Sequence, residues 1–176
     1  MTTATDTRES LSAALKTSTA EAHDKAEHSV FMDELLAGKL SVADFIALQE
    51  QSWLFYSALE DAARAVADHP LASGIVDPAL ERVNALEHDL NHLHGTTEWR
   101  TTVTPLPATA EYIARLNDIE DTKDVARLLA HHYVRYLGDL SGGQVIGRMM
   151  QRHYGVSDEC VTFYRFAEIP KTKPYK

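Results

Sequence analysis

Four glycines stand within ten residues of a segment whose apolar pattern is otherwise helical, and no other feature constrains the fold so much. Leu128, Leu129, Tyr133, Tyr136, Leu137 and Leu140 recur near the 3.6-residue period of a helix. Gly138, Gly142, Gly143 and Gly147 then interrupt it, each costing roughly 1 kcal/mol relative to alanine in a helix interior. Such a helix either bends or lays its backbone close against something flat. The plainer version of the second is a packing surface against another helix. Asp139, just after the first glycine, puts a carboxylate where a core helix carries an apolar residue. A side-chain-free face with one acid on it reads as the lid of a ligand site.

The rest of the chain is patterned as helices. The first runs from about Ser10 to Glu27, with Leu11, Ala14, Leu15, Ala22 and Ala26 as a modest apolar stripe. Ser29 is placed to cap a short second helix that stops at Gly38. Ser41 and Asp44 open a third, running to about Asp68, whose Phe45, Leu48, Phe55, Leu59, Ala62 and Val66 follow 3–4 spacing. Asp77-Pro78 starts a fourth that ends at Gly95. A fifth spans about Thr109 to Ile119, and Asp121 or Thr122 is expected to cap the long glycine-interrupted helix. A last short helix is expected from Ser157 toward Pro170. No βαβ pattern, repeat or low-complexity tract is present, so the expected fold class is all-α. At 176 residues the chain is expected to form a single domain over 1–176.

The net charge of -9 argues against nucleic acid as a partner. No run of about eighteen apolar residues is present, so no membrane span is expected. The N-terminal MTTATDTRES lacks the apolar core of a signal peptide. The single cysteine, Cys160, excludes an internal disulfide and suits a reducing compartment. The expected location is cytoplasmic.

The first helix carries a second constellation. Lys16, Thr19, His23 and Glu27 fall at spacings of three and four and share one face. His23 is placed to ligate a metal through one ring nitrogen, with Glu27 one turn on able to hold the other N–H. Lys16 lies two turns back, roughly 10 Å along the axis. An ordinary solvated helix face has the same composition. On the fourth helix, His88 and His92 stand at a spacing that could bind a metal, with His94 nearby. No further ligand follows at motif spacing, which argues against a metal there. His131, His132 and His153 read as packing or surface residues, Cys160 as structural. Trp53, Phe55, Tyr112 and Phe163 fit core packing.

Taken together, KTSTAEAHDKAEHS and HHYVRYLGDLSGGQ resemble the two signature segments of the haem oxygenases, in particular the bacterial biliverdin-forming type. QEQSWLFYSALE in the third helix extends the resemblance, which runs from the first helix to Lys176. The family fold clamps haem between a proximal helix and a kinked distal helix. The resemblance implies that haem is both cofactor and substrate, opened at a meso carbon with O2 to biliverdin, carbon monoxide and ferrous iron, a reaction suited to acquiring iron from haem.

Residue by residue, the resemblance makes His23 the axial iron ligand and Glu27 its hydrogen-bonding partner. Gly138 and Gly142 become the distal positions where backbone approaches haem, with Gly143 and Gly147 supplying the bend and Gly143 also counted among the haem-binding positions. Asp139 becomes the distal carboxylate acting through ordered water, with Arg135 one turn earlier able to pair with it and Tyr56 a distal hydrogen-bonding tyrosine. Lys16, Tyr133 and Lys171 match propionate contacts, with Lys173 able to replace Lys171. The family normally continues past PKTKPYK, so the chain is expected to be truncated at its C-terminal end. No nucleotide-binding fingerprint accompanies these residues, which implies an external electron donor, a ferredoxin or flavoprotein reductase. Arg148 and Arg152 are candidate contacts for it. The rivals are a haem carrier, which keeps His23 without needing Asp139, and a di-iron carboxylate oxidase. The second needs paired Glu-x-x-His motifs, and only Asp89-x-x-His92 comes near.

Overall fold

Helix α3 (Val42–Ala65) is the axis of the molecule, packing against α4 (Val83–His94), α5 (Pro107–Thr122) and α6 (Val125–Gly138). The computed structural model describes residues 10–175, the side chains of Leu11 and Lys173 lying outside the described residues. α1 (Leu11–Glu27) and α2 (Val30–Leu36) precede the axis, and α7 (Gln144–Tyr154) and the short α8 (Thr172–Tyr175) follow it. No strand occurs among the described residues, so the fold is all-α as expected.

Local chemistry explains where several helices begin and end. Ser41 and Asp44 form a reciprocal capping box at the start of α3, and Ser10 and Ser29 cap α1 and α2. Gly38 and Gly95 take left-handed φ of 71° and 67°, which ends α2 and α4 where glycine was expected to. Between the helices Leu35, Phe45, Leu59, Leu86, Leu116, Ile119, Leu128 and Met150 form a fully buried core. Each such side chain contributes about 1.5–3 kcal/mol of apolar transfer. α7 is tied back to α2 by the Tyr154 hydroxyl, which donates to the Leu35 carbonyl at 2.8 Å.

Four boundaries differ from expectation. Asp77-Pro78 opens only a 3₁₀ turn, Pro78–Leu80, and α4 starts at Val83. Its first amides are capped from another helix: Glu60 Oε1 on α3 accepts from Arg82 N at 2.5 Å and Val83 N at 3.0 Å. α5 runs through Asp121 and Thr122, so the cap of α6 is Asp124, which accepts from Arg127 N at 3.1 Å. The segment after Ser157 forms two 3₁₀ turns, Asp158–Cys160 and Thr162–Tyr164, in place of a helix. There the buried Asp89 carboxylate on α4 takes the amides of Thr162 and Phe163, each at 2.9 Å, which an α-helix would hold differently. Finally, the glycine-interrupted helix is two α-helices joined by a π-helical turn at Asp139–Gly143.

Candidate active site

The π turn lies where α6 would otherwise run straight on, and π turns of this kind open one extra residue into a helix. Here the turn begins with Asp139. Tyr56 on α3 is buried among Phe55, Tyr136 and Phe163, whose ring centroids lie 4.9, 5.9 and 5.5 Å from its own. Its hydroxyl donates to Asp139 Oδ2. Burial pushes the Asp139 carboxyl up to about 6, while the Tyr56 hydrogen bond and the Arg135 and Arg82 cations pull the other way. Burial and the adjacent Asp139 hold the Tyr56 hydroxyl well above the ordinary phenol range, so it stays a donor.

Arg135 was expected to pair with Asp139. Instead its guanidinium lies over the rings of Phe55 and Tyr112, 4.3 and 5.0 Å from their centroids. Its charge reaches the carboxylate through space while the aromatic cradle fixes its position. Phe55 and Tyr112, both half-buried, thus hold a cation as well as filling space. A second cation, Arg82, was not singled out by the sequence. It is buried, sits 3.9 Å over the Phe166 ring, and donates to the carbonyls of Leu80, Ala79 and Arg165. Two cations held by rings and carbonyls therefore surround one acid whose direct partner is a tyrosine.

The four glycines divide between two faces. Gly138 and Gly142, one turn apart, are exposed, and a Cβ at either meets nothing within 4 Å. Gly143 and Gly147, also one turn apart, are buried, and a Cβ on them meets the Tyr164 ring at 3.4 and 3.3 Å. Tyr164 itself is fixed from behind, accepting from Gln49 Nε2 at 2.9 Å. The packing reading therefore holds for Gly143 and Gly147, while Gly138 and Gly142 leave an open, side-chain-free face. Gly143, expected beside haem, is a packing position against Tyr164. The break in the helix belongs to Asp139–Gly143, and Gly147 lies within regular α7.

α1 presents His23 and Glu27 on the surface, with side chains 68% and 60% exposed and His23 Nδ1 3.4 Å from Glu27 Oε2. Ala22 and Ala26 beside them are exposed, so this stripe is not part of the protein core. Engagement of Nδ1 leaves Nε2 as the nitrogen for a metal. Lys16 and Lys171 are exposed and Tyr133 is half-buried. A histidine with a free Nε2, an open side-chain-free helix face and cationic side chains at the surface fit a flat, dianionic iron macrocycle.

His132 is buried against Tyr136, and burial pulls its imidazole down to about 4. Cys160 is buried and free. Asp89, the acid of the one near-match to a di-iron motif, is used to anchor Thr162 and Phe163. Tyr164, Gln49 and Arg82 are the site-supporting residues the sequence did not reveal. Their only local signal is a polar group at a core position, which periodicity alone cannot assign a partner.

No described helix is long and apolar enough to cross a membrane. The family model described as Heme oxygenase matches residues 9–176. The chain is 34% identical over 166 residues to heme oxygenase 1 of Synechocystis sp., covering 94% of this chain and 68% of the relative. It is 35% identical over 163 residues to a heme oxygenase of Rhodella violacea, covering 92% and 68%. The crystal structure of the Synechocystis heme oxygenase-1 in complex with heme superposes with a TM-score of 0.84 at 34% identity, covering 93% of this chain and 73% of that one. The heme oxygenase structure from Leptospira interrogans gives a TM-score of 0.88 at 32% identity, covering 95% and 81%. With family motif, fold and relatives in agreement along its length, the chain belongs to the haem oxygenase family and is an enzyme that degrades haem to biliverdin.

Proposed function

We propose that this chain binds haem through His23 and controls its opening through the Tyr56–Asp139 pair. The observation that carries the reading is the adjacency of an open glycine face, Gly138 and Gly142, to a half-buried carboxylate held by a tyrosine from another helix. Bound haem supplies both the ring that is cleaved and the iron at which dioxygen is activated. Gly138 and Gly142 admit the flat ring to the helix backbone and leave no side chain to displace O2. Glu27 sets the tautomer of His23, and Lys16, Tyr133 and Lys171 hold the propionates. Asp139 retains acceptor capacity beyond its bond from Tyr56, which it uses to hold an ordered water that delivers protons at the reacting edge. Arg135 and Arg82 keep that carboxylate ionised near neutral pH despite its burial.

Electrons come from a separate ferredoxin or flavoprotein reductase, a reading supported by the lack of a nucleotide-binding fingerprint in the sequence. Arg148 and Arg152, exposed on α7, are suited to an acidic donor. The reaction is assigned to the cytoplasm, releasing carbon monoxide, biliverdin and ferrous iron, the last as the nutrient. The test is single turnover of the haem-loaded protein with a chemical reductant under oxygen. Conversion of the haem spectrum to that of biliverdin, with none from NADPH alone, is the expected result. Steady biliverdin formation from NADPH without a second protein refutes the external donor. Apolar replacement of Lys16 and Tyr133 together broadens the biliverdin isomers; one unchanged isomer removes both from the propionate contacts.

A further inference from the structure

His88 and His92 share one face of α4, with ring centroids 4.3 Å apart. Sequence spacing offers no third ligand, but the fold does. The Asp158–Cys160 turn packs on α4 and brings Glu159 Oε2 to 3.2 Å from His88 Nε2. One ligand atom from each of His88, His92 and Glu159 lies within 4.8 Å of the other two. Ligands about 2.0–2.1 Å from a tetrahedral zinc stand roughly 3.3 Å apart. One separation already has that value, and Glu159 is an exposed side chain free to rotate for the rest.

One of the two imidazoles, His92, is also held in the tautomer that ligation needs. His88 Nδ1 is buried 3.5 Å from Oδ1 of the fully buried Asp89 carboxylate, without a hydrogen bond to it. His92 Nδ1 lies 2.8 Å from the His88 carbonyl and donates to it. With its proton on Nδ1, His92 has its Nε2 lone pair available, the arrangement a carbonyl partner gives metal-bound histidines. Asp89 accepts the amides of Thr162 and Phe163. The carboxylate beside His88 thus anchors the segment carrying Tyr164 behind Gly143 and Gly147.

We propose that His88, His92 and Glu159 form a surface site for a divalent transition-metal ion of the zinc class, clamping the 158–164 turns onto α4. Two imidazoles and one carboxylate leave a fourth position to water, and the donor set suits zinc over calcium or magnesium. The site is independent of haem.

The test is calorimetric titration of zinc alone into the haem-loaded protein, with His92→Ala and Glu159→Gln alongside. The expected result is one zinc per chain, with affinity at least about tenfold weaker in each variant and the haem and far-ultraviolet spectra unchanged. Hydrogen exchange at the Thr162 and Phe163 amides slows with zinc in the parent protein and less so in the variants. No zinc uptake, or uptake in both variants equal to that of the parent, overturns the site. Unchanged exchange at those amides with zinc bound overturns the clamp.

Discussion

Tyr56 on α3 donates its hydroxyl to Asp139 at the first residue of the π turn, so the break in the distal helix is joined to the central helix through one hydrogen bond. The acid it holds is costly where it lies. Burial lifts its carboxyl to about 6 in the fold, from an ordinary value of 3.8. Between those two pH values the folded state binds more protons than the unfolded, so stability falls as pH rises through the window. Above pH 6 the full cost is present, on the order of 2–3 kcal/mol. Asp139→Asn keeps an oxygen to accept from Tyr56 and removes the charge. It is expected to melt higher than the parent at pH 7–8, with the advantage vanishing below about pH 4. A melting difference that does not change with pH refutes the assignment.

The same residue should show in turnover. Asp139→Ala is expected to keep haem, since the proposed iron ligand is His23, while biliverdin formation drops roughly 10²-fold; Asp139→Asn is impaired less. In the parent, biliverdin formation should fall as pH drops through about 6, where the carboxyl protonates, and Asp139→Asn should lack that limb. Tyr56→Phe removes a hydrogen bond that lowers the carboxyl's pKa, so the limb moves to higher pH. Parent-like rates and pH profile in Asp139→Ala would leave the glycine helix acting by shape alone.

His23 separates binding from folding. Its side chain is 68% exposed, so His23→Ala is expected to change the stability of the haem-free protein by no more than about 0.5 kcal/mol. The variant should nevertheless lose the histidine-ligated haem spectrum, and added imidazole should restore it. Retention of the parent spectrum points to another ligand, with exposed His28 the nearest alternative on the same helix end.

Glu60 is a purely structural counterpart. Removing it leaves the amides of Arg82 and Val83 without the acceptor that starts α4. Glu60→Ala is expected to cost about 2–3 kcal/mol in chemical denaturation, and Glu60→Gln, which keeps an acceptor, distinctly less. Equal losses would mean that the charge, not the cap, is what the helix start uses.

What was legible in the chain depended on whether a residue's partner is close in sequence. Ser41 with Asp44, Gly38 and Gly95 declare their backbone geometry by type, and the structure uses them as expected. Glu60 at α4, Asp89 at Thr162 and Tyr164 behind Gly147 act across the fold, and periodicity carries no trace of such partners. Hence α4 began late and the Ser157 segment became 3₁₀ turns. Arg135 shows the same limit at short range. A spacing of four makes a pair with Asp139 possible, but the aromatic cradle that takes the cation comes from α3 and α5. The glycine run announced a close approach without saying that two glycines face Tyr164 and two face outward.

That division gives the sharpest contrast. Gly138 has ordinary helical angles, φ -60° and ψ -50°, and a Cβ there meets nothing within 4 Å. Gly138→Ala should therefore stabilise the haem-free protein by about 0.5–1 kcal/mol, through helix propensity and a less flexible unfolded chain. If Gly138 faces haem, the same methyl stands where the ring and O2 approach the backbone, so biliverdin formation falls. At Gly147 the methyl would press on the Tyr164 ring, with three ring and Cβ atoms within 3.2–3.4 Å. Tyr164 is buried and tied to Gln49, so it has little room to give. Gly147→Ala is thus expected to lose the propensity gain and lower the melting temperature, through the packing behind the turn. The measurements are thermal unfolding without haem and single-turnover yield with it, on both variants. Opposite signs in unfolding, with turnover lost in the more stable protein, match a glycine kept for its ligand face. A Gly138→Ala protein that is both more stable and fully active would show that haem does not lie against this turn.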